Sequence, residues 1–278
     1  MSAVPPTSDA DKESLNRLDS LAQIRIVLVE PTHPGNIGSV ARAMKTMGLS
    51  RLVLVNPKKF PHYEASKLAA GAESVLLNAE IVQTADEAIG DCTMVLGTSV
   101  RDREVSWPTF SPRETAANVD QHVSQSERQV AILFGRESSG LTNAEMDLCQ
   151  SQIRISANQE YSSLNLANAV QIIAYELRMQ FLASGSGLKD NGKPMTAAKE
   201  RQVAANKQQK NGHIEHLQNT LESLDFIKVR PPTVLIRKLT RLYSKADLSI
   251  EEIQILRGIL SAMQTKIAST DIGAAEDE

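Results

Sequence analysis

Cysteine is scarce in this 278-residue chain: there are two, Cys92 and Cys149, without metal-ligand spacing. That argues against a disulfide framework and for reduced thiols in a cytosolic protein. Aromatic residues make up only 4% of the chain, so a recognition sheet of stacked rings is not expected, and base stacking should be a lesser term in any nucleic-acid contact. No apolar run approaches the roughly 18 residues of a membrane span. The first 20 residues are polar and carry Asp9, Asp11, Glu13 and Asp19, with no basic-then-apolar leader. A cytoplasmic protein with no membrane partner is the expectation.

The familiar chemical motifs are missing as well. No Gly-x-Gly-x-x-Gly follows the first strand, and no Gly-x-x-x-x-Gly-Lys-Ser/Thr is present, so neither a dinucleotide fold nor a P-loop is supported. Gly-x-Ser-x-Gly, the hydrolase elbow, is absent too. The five histidines (His33, His62, His122, His213, His216) show no catalytic or metal spacing. His213 and His216 stand three apart on a helix, but no carboxylate or cysteine set completes a site, so no metal is expected.

Charge is unevenly distributed. The whole chain is −3, yet residues 186–246 carry eight Lys and four Arg against two Asp and three Glu. A local excess of seven positive charges suits either a solvated surface or a polyanion partner.

Hydrophobic patterning organises the rest. Ile24–Val29, Arg51–Val55, Cys92–Leu96, Gln129–Phe134 and Gln152–Ile155 are short β-branched or apolar runs that read as strands buried on both faces. Helical patterns alternate with them. Asn36–Met47, after a break at Pro34-Gly35-Asn36, has an apolar face of Ile37, Val40, Ala41, Met44 and Met47, with Arg42 off that face and Gly48 as its stop. Glu64–Ala70, Asp86–Ile89 and Thr142–Leu148 read as further helices, Val75–Val82 as a short strand or irregular piece, and Val100–Ser111 as a loop. Ser111-Pro112-Arg113-Glu114 is a capping-box start. In Tyr161–Leu177 two hydroxyls and an amide precede a strongly apolar helix, which on its own reads first as a capped core helix and second as a helix end that can hold a polar ligand. The alternation predicts an α/β fold: a parallel sheet with helices on both faces, followed by a small all-α extension.

Four domains-worth of boundaries follow: a disordered tail over 1–20, the α/β domain over 21–184, a flexible Gly/Lys/Asn/Gln-rich linker over 185–212, and a three-helix extension over 213–278. The extension's helices are expected near Ile214–Leu224, Thr233–Tyr243 and Ser249–Ile267. In parallel sheets ligands gather beyond the carboxyl ends of the strands. The loops at Pro31–Asn36, Gly97–Val100, Gly135–Leu141 and Ser156–Ser163 all lie there.

Three of these segments, in this order, carry a resemblance: Asn36-Ile37-Gly38 through Arg42, Phe134-Gly135-Arg136-Glu137 with Gly140-Leu141, and Ser162-Ser163-Leu164-Asn165. Together they resemble the SPOUT methyltransferases, the trefoil-knot class that uses S-adenosylmethionine, over about residues 23–183. Gly97-Thr98-Ser99, Trp107-Pro108 and the helical extension resemble more narrowly the TrmJ group, tRNA cytidine/uridine ribose 2′-O-methyltransferases acting at position 32 of the anticodon loop. The resemblance implies a C-terminal trefoil knot, a homodimer, S-adenosyl-L-methionine as cofactor and tRNA as partner. It implies Arg42 as the catalytic residue, supported by Asn36 and Glu137, and a cofactor pocket of Thr98, Ser99, Val100, Gly135, Ile155, Ser162, Ser163 and Leu164. Whether Arg42 acts as base or as an electrostatic and phosphate-positioning group stays open, since arginine is a poor base. With the local basic charge, Arg230, Arg237, Lys238 and Arg241 become the expected tRNA-binding residues. Alternatives are a SPOUT enzyme for another tRNA site or for rRNA, and a catalytically silent RNA-binding relative.

Overall fold

The strand β1 (Ile24–Val29) is buried along all six residues and sits inside a seven-stranded sheet. The computed structural model describes residues 17–101, 107–125, 128–158, 160, 163–185, 203–227, 233–244, 246 and 248–275. Within them, β2 (Arg51–Val55), β3 (Glu80–Val82), β4 (Met94–Thr98), β5 (Thr109–Phe110), β6 (Val130–Phe134) and β7 (Ser151–Ile153) complete the sheet. Their order is β3-β2-β1-β6-β4-β7-β5 and every pairing is parallel, so all carboxyl ends share one edge.

The continuous apolar runs are explained by two cores. Ile24, Ile26 and Leu28 of β1 join one cluster and Val27 and Val29 the other, the period-two alternation of a strand covered on both faces. The first core is capped by α1 (Pro34–Met47), α2 (Tyr63–Ala69), α3 (Glu73–Leu77), α5 (Pro112–Val123) and α7 (Leu166–Gly185). The second is capped by α4 (Ala85–Ile89), α6 (Asn143–Asp147) and Trp107. The expected α/β sandwich with helices on both faces is what forms. Among the described residues, no helix is long and apolar enough to cross a membrane.

Local chemistry sets the helix ends. The capping box at Ser111 and Glu114 opens α5, and a second, Thr142 with Glu145, opens α6. Gly48 ends α1 in the left-handed region at φ 88°. Pro34-Gly35-Asn36, read from sequence as a break, is instead the first turn of α1. Proline fits there because the first helical N–H has no intrahelical acceptor to lose. The piece at Val75–Val82 divides into the end of α3 and the strand β3. In the expected loop Val100–Ser111, Thr109–Phe110 pairs with β7 as a two-residue strand. Arg17, assigned by sequence to the tail, bonds Asp120 at 2.5 Å and lies over the Phe181 ring.

Two compact units divide the chain, residues 1–195 and 196–278. The second contains α8 (Lys207–Ser223), α9 (Thr233–Ser244) and α10 (Ile250–Ala275), with α8 packed on both others. Its first helix starts earlier than the sequence pattern suggests. Asn206 forms a capping box with Gln209, and Ala204 pairs with Ser249, so residues 203–212 of the expected linker are structured. His213 is buried in this bundle, its ring edge-on to Tyr243 at 4.7 Å between centroids.

Candidate active site

At the carboxyl edge of β4, β6 and β7 the chain leaves a cleft of about 260 Å³. Thr98, Ser99, Val100, Gly135, Ile155, Ser163 and Leu164 all line it, which brings together seven of the eight residues expected around a cofactor. The eighth, Ser162, lies outside the described residues. Arg101, Gly140, Leu141, Ile153, Leu166 and Ala169 also line the cleft and were not singled out as site residues from sequence.

The wall after β4 is held by its neighbours. Thr98 Oγ1 donates to the Leu133 carbonyl at 3.0 Å, and the Ser99 N–H donates to the Ile153 carbonyl at 3.1 Å. Gln152 Nε2 donates to the Ser99 carbonyl at 3.1 Å, and Arg154 Nη2 to the Val100 carbonyl at 2.9 Å. These bonds fix the backbone shape of one side of the cleft without using the Ser99 hydroxyl as a donor.

The wall after β6 is a tight turn. The Gly140 N–H donates to the Arg136 carbonyl at 2.8 Å, with Gly140 at φ 64°. A Cβ on Gly135 would stand 2.1 Å from backbone atoms of Gly140 and Leu141, so only glycine fits there. Arg136 does not offer a free cation to the cleft. It forms a two-pronged bond with Glu145 at 3.0 and 3.1 Å and pairs with Glu30 at 2.8 Å. The hydrogen bond from Arg136 is the main cause that holds the Glu30 carboxyl below its ordinary range.

Glu137 ties this wall to the rest of the site. It accepts from the Thr32 N–H at 3.1 Å, the Thr32 hydroxyl at 2.8 Å, the His33 N–H at 3.2 Å and the Asn36 amide at 3.0 Å. Burial raises its pKa, but the bonds from Asn36, its own backbone and Thr32 together outweigh burial and hold it at about 2. Asn36 Oδ1 in turn accepts from the side-chain amide of Asn165 at 3.1 Å. Asn165 Oδ1 also accepts from the Ala167 N–H at 2.9 Å, which caps α7. The three resembling segments therefore meet through one polar chain, Glu137–Asn36–Asn165. Asn165 was visible from sequence as an amide ahead of an apolar helix, but its bridging role was not.

Arg42 lies six residues beyond Asn36 on α1, about 9 Å along the axis at about 1.5 Å per residue. It is exposed, and its guanidinium has no ion-pair or hydrogen-bond partner among the described residues. Asn36 and Glu137 do not touch it. They fix the first turn of the helix that carries it, and Gly38 seats that helix closely on Ala65. Of the expected RNA-binding residues, Arg237, Lys238 and Arg241 lie on α9, with Lys238 exposed, while Arg230 falls outside the described residues. No His/Cys/Asp/Glu cluster suited to a metal occurs among the described residues.

Comparison with known proteins agrees with this arrangement. The sequence model of the SpoU rRNA Methylase family matches residues 23–175, and that of the C-terminal domain of tRNA methyltransferase TrmJ matches residues 208–272. The tRNA (cytidine/uridine/adenosine-2′-O-)-methyltransferase TrmJ of Pseudomonas aeruginosa strain UCBPP-PA14 is 43% identical over 250 residues, which are 88% of this chain and 95% of that one. The tRNA (cytidine/uridine-2′-O-)-methyltransferase TrmJ of Salmonella choleraesuis strain SC-B67 is 47% identical over 244 residues, 88% of this chain and 97% of that one. The crystal structure of TrmJ from Z. mobilis ZM4 superposes with a TM-score of 0.72 at 33% identity, covering 86% of this chain and 98% of that one. The chain belongs to the SpoU rRNA methylase family, within its TrmJ group.

Proposed function

We propose that this protein is an S-adenosylmethionine-dependent methyltransferase acting on the ribose 2′-hydroxyl of cytidine or uridine at position 32 of tRNA. The observation that carries the reading is the Glu137–Asn36–Asn165 chain, which couples the cleft wall to the helix bearing Arg42. The relatives named above act on the 2′-oxygen of tRNA nucleosides by their descriptions, and the one from Pseudomonas aeruginosa accepts adenosine as well.

The residues present fit the cofactor. Apart from Arg101, Arg136 and Glu137, the cleft is lined by small and apolar side chains with a few hydroxyls, and its walls are backbone-rich turns fixed by hydrogen bonds, a surface that suits an adenosine moiety. When bound, S-adenosylmethionine supplies the methyl group on a sulfonium centre. Thr98, Ser99, Val100, Gly135, Ile155, Ser163 and Leu164 would hold it.

The protein's contribution is positioning and electrostatics. A bound ribose hydroxyl must lie in line with the methyl group, and alignment of this kind lowers barriers by up to about 7–11 kcal/mol. Arg42 supplies an exposed cation for a neighbouring phosphate and for the negative charge that develops as the 2′-hydroxyl loses its proton. Its lack of a carboxylate partner among the described residues keeps that charge uncompensated.

A homodimer and a cytoplasmic location belong to the same reading. Tyr175 and Met179, four residues apart on the outward side of α7, are 48% and 36% exposed, and burying that face against a second copy would remove apolar surface from water. Light scattering at micromolar concentration should give twice the chain mass. On α9, Arg237, Lys238 and Arg241 would contact the tRNA backbone. The deciding experiment is methylation of total tRNA with labelled S-adenosylmethionine followed by nucleoside mapping. Label at the 2′-oxygen of residue 32 is the expected result, and label only at another position, or none, would refute it.

A further inference from the structure

The segment between β2 and α2 leaves the sheet at the same edge as the cleft. Its backbone is fixed by the Asn56 N–H bonding the Val82 carbonyl at 2.9 Å and the Lys58 N–H bonding the Pro31 carbonyl at 3.1 Å. Lys58 and Lys59 follow in the loop. His62 caps α2, Tyr63 opens it, and Lys67 stands one turn further along the same helix face.

These side chains are open to solvent. The Lys58 side chain is 56% exposed, and Tyr63 is 78% exposed, the largest exposure of any aromatic among the described residues. Lys59, His62 and Lys67 are exposed as well, and Glu64 is the one acid between Lys58 and Lys67. Lys58 reaches Glu30 only at 4.0 Å, and Glu30 is already engaged by Arg136. Three lysines against one acid in ten residues reverse the sign of a chain whose net charge is −3.

Position adds a second argument. β2 lies two places from β6 in the sheet, a separation of about 10 Å at about 4.8 Å per spacing. The loop after β6 is a wall of the cleft. Lys58 bonds Pro31, and the next residue, Thr32, bonds Glu137 in that wall.

We propose that Lys58, Lys59, Tyr63 and Lys67 form a contact surface for single-stranded RNA beside the cleft. Tyr63 stacks on a base, and the lysines meet the phosphates of nucleotides flanking the one presented to the cofactor. The inference rests on the reading of the cleft as a tRNA-methylating site, and it places part of the RNA contact on the α/β unit, not only on α9.

Filter binding of tRNA to the full-length protein, together with transfer kinetics, tests it. Tyr63→Ala should raise the tRNA Kd about tenfold while Tyr63→Phe, which keeps the ring, stays within about twofold of wild type. Lys58→Ala with Lys59→Ala should lower the log–log salt slope by about 1.4, at about 0.7 per lost single-strand phosphate contact. Affinity for S-adenosylhomocysteine should not change in any of them. Unchanged tRNA affinity and salt slope in these variants, beside an active wild type, would overturn the surface alone. Variants that alter the light-scattering mass at constant RNA affinity would assign the surface to a protein partner instead. A wild type that neither binds nor methylates tRNA would refute the cleft reading, and the surface with it.

Discussion

Asn165 donates its side-chain amide to Asn36 across 3.1 Å, although the two residues stand 129 positions apart. Asn165 uses its other amide atom to cap α7, so one side chain both starts a core helix and fixes its place against α1. The two roles can be separated. Asn165→Ala loses both, and the cap alone should cost about 1 kcal/mol. Asn165→Ser keeps a capping oxygen but is too short to serve as the amide bridge to Asn36. Thermal melts should therefore show Asn165→Ser near wild-type stability and Asn165→Ala below it, while the methyl-transfer rate falls at least tenfold in both. Full activity in Asn165→Ser would mean that the bridge is structural ornament to the cap.

Glu137 makes the same network sensitive to acid. Its folded pKa is about 2, below the ordinary 4.5, because four donors favour the carboxylate over burial. A depressed carboxyl stabilises the fold fully above its unfolded value and loses that contribution as pH falls toward the folded value. Glu137→Gln should thus melt at a lower temperature than wild type at neutral pH. The gap should close as pH falls from about 4.5 toward 2, and a pH-independent gap would remove ionisation from the account.

The parts of this architecture that depend on neighbours in sequence were legible before the structure. Ile24–Val29, Arg51–Val55 and Val130–Phe134 announce doubly buried strands because β-branched runs of that length have few other stable uses. The Ser111 and Glu114 capping box is likewise local. β5 was not legible, because two residues become a strand only through their partner β7. Pro34 misled because proline breaks helices from within yet favours their first position. In the site, Thr98, Gly135 and Ser163 were reached by resemblance of short segments, whereas the bonds of Gln152 and Arg154 to the Ser99–Val100 wall depend on strand order.

Gly38 tests how closely Arg42's helix must be seated. A Cβ at Gly38 would fall 2.1 Å from the Ala65 carbonyl oxygen, which is backbone and cannot rotate away. Gly38→Ala gains helix propensity but must push α1 off α2. Overpacking of this kind costs about 1–3 kcal/mol, more than the roughly 1 kcal/mol gained by replacing glycine in a helix. The variant should melt below wild type and lose transfer activity out of proportion to tRNA binding. A higher melting temperature would show that α2 yields at no cost.

His213 should make the second unit acid-sensitive. Among the described residues, both ring nitrogens are buried without a hydrogen-bond partner, and so is Nδ1 of the neighbouring His216. Burial chiefly, then the charges of His216 and Arg257, lower the His213 pKa. From α9, Tyr243 faces it edge-on. Above about 6.5 the ring is neutral folded or unfolded and pH has no effect through it; below, the unfolded chain takes up a proton that the folded one resists. Amide-exchange protection factors in α8, corrected for the intrinsic pH dependence of exchange, should fall as pH drops from about 6.5 to about 5.5, and His213→Leu should flatten that dependence.

Arg42 is the residue we propose as catalytic, and its surroundings predict a clean separation of effects. It lies off the apolar face of α1, is exposed, and has no bonded partner among the described residues. Removing it should therefore leave folding and the cleft walls intact. Arg42→Ala should retain S-adenosylhomocysteine affinity and melting temperature while transfer to tRNA falls by about 10²–10³, the range for loss of one electrostatic donor to a transition state. Arg42→Lys keeps the charge but not the planar fork, so partial recovery would favour charge stabilisation over two-pronged phosphate positioning. Persistent turnover in Arg42→Ala would move the catalytic role elsewhere on the cleft rim.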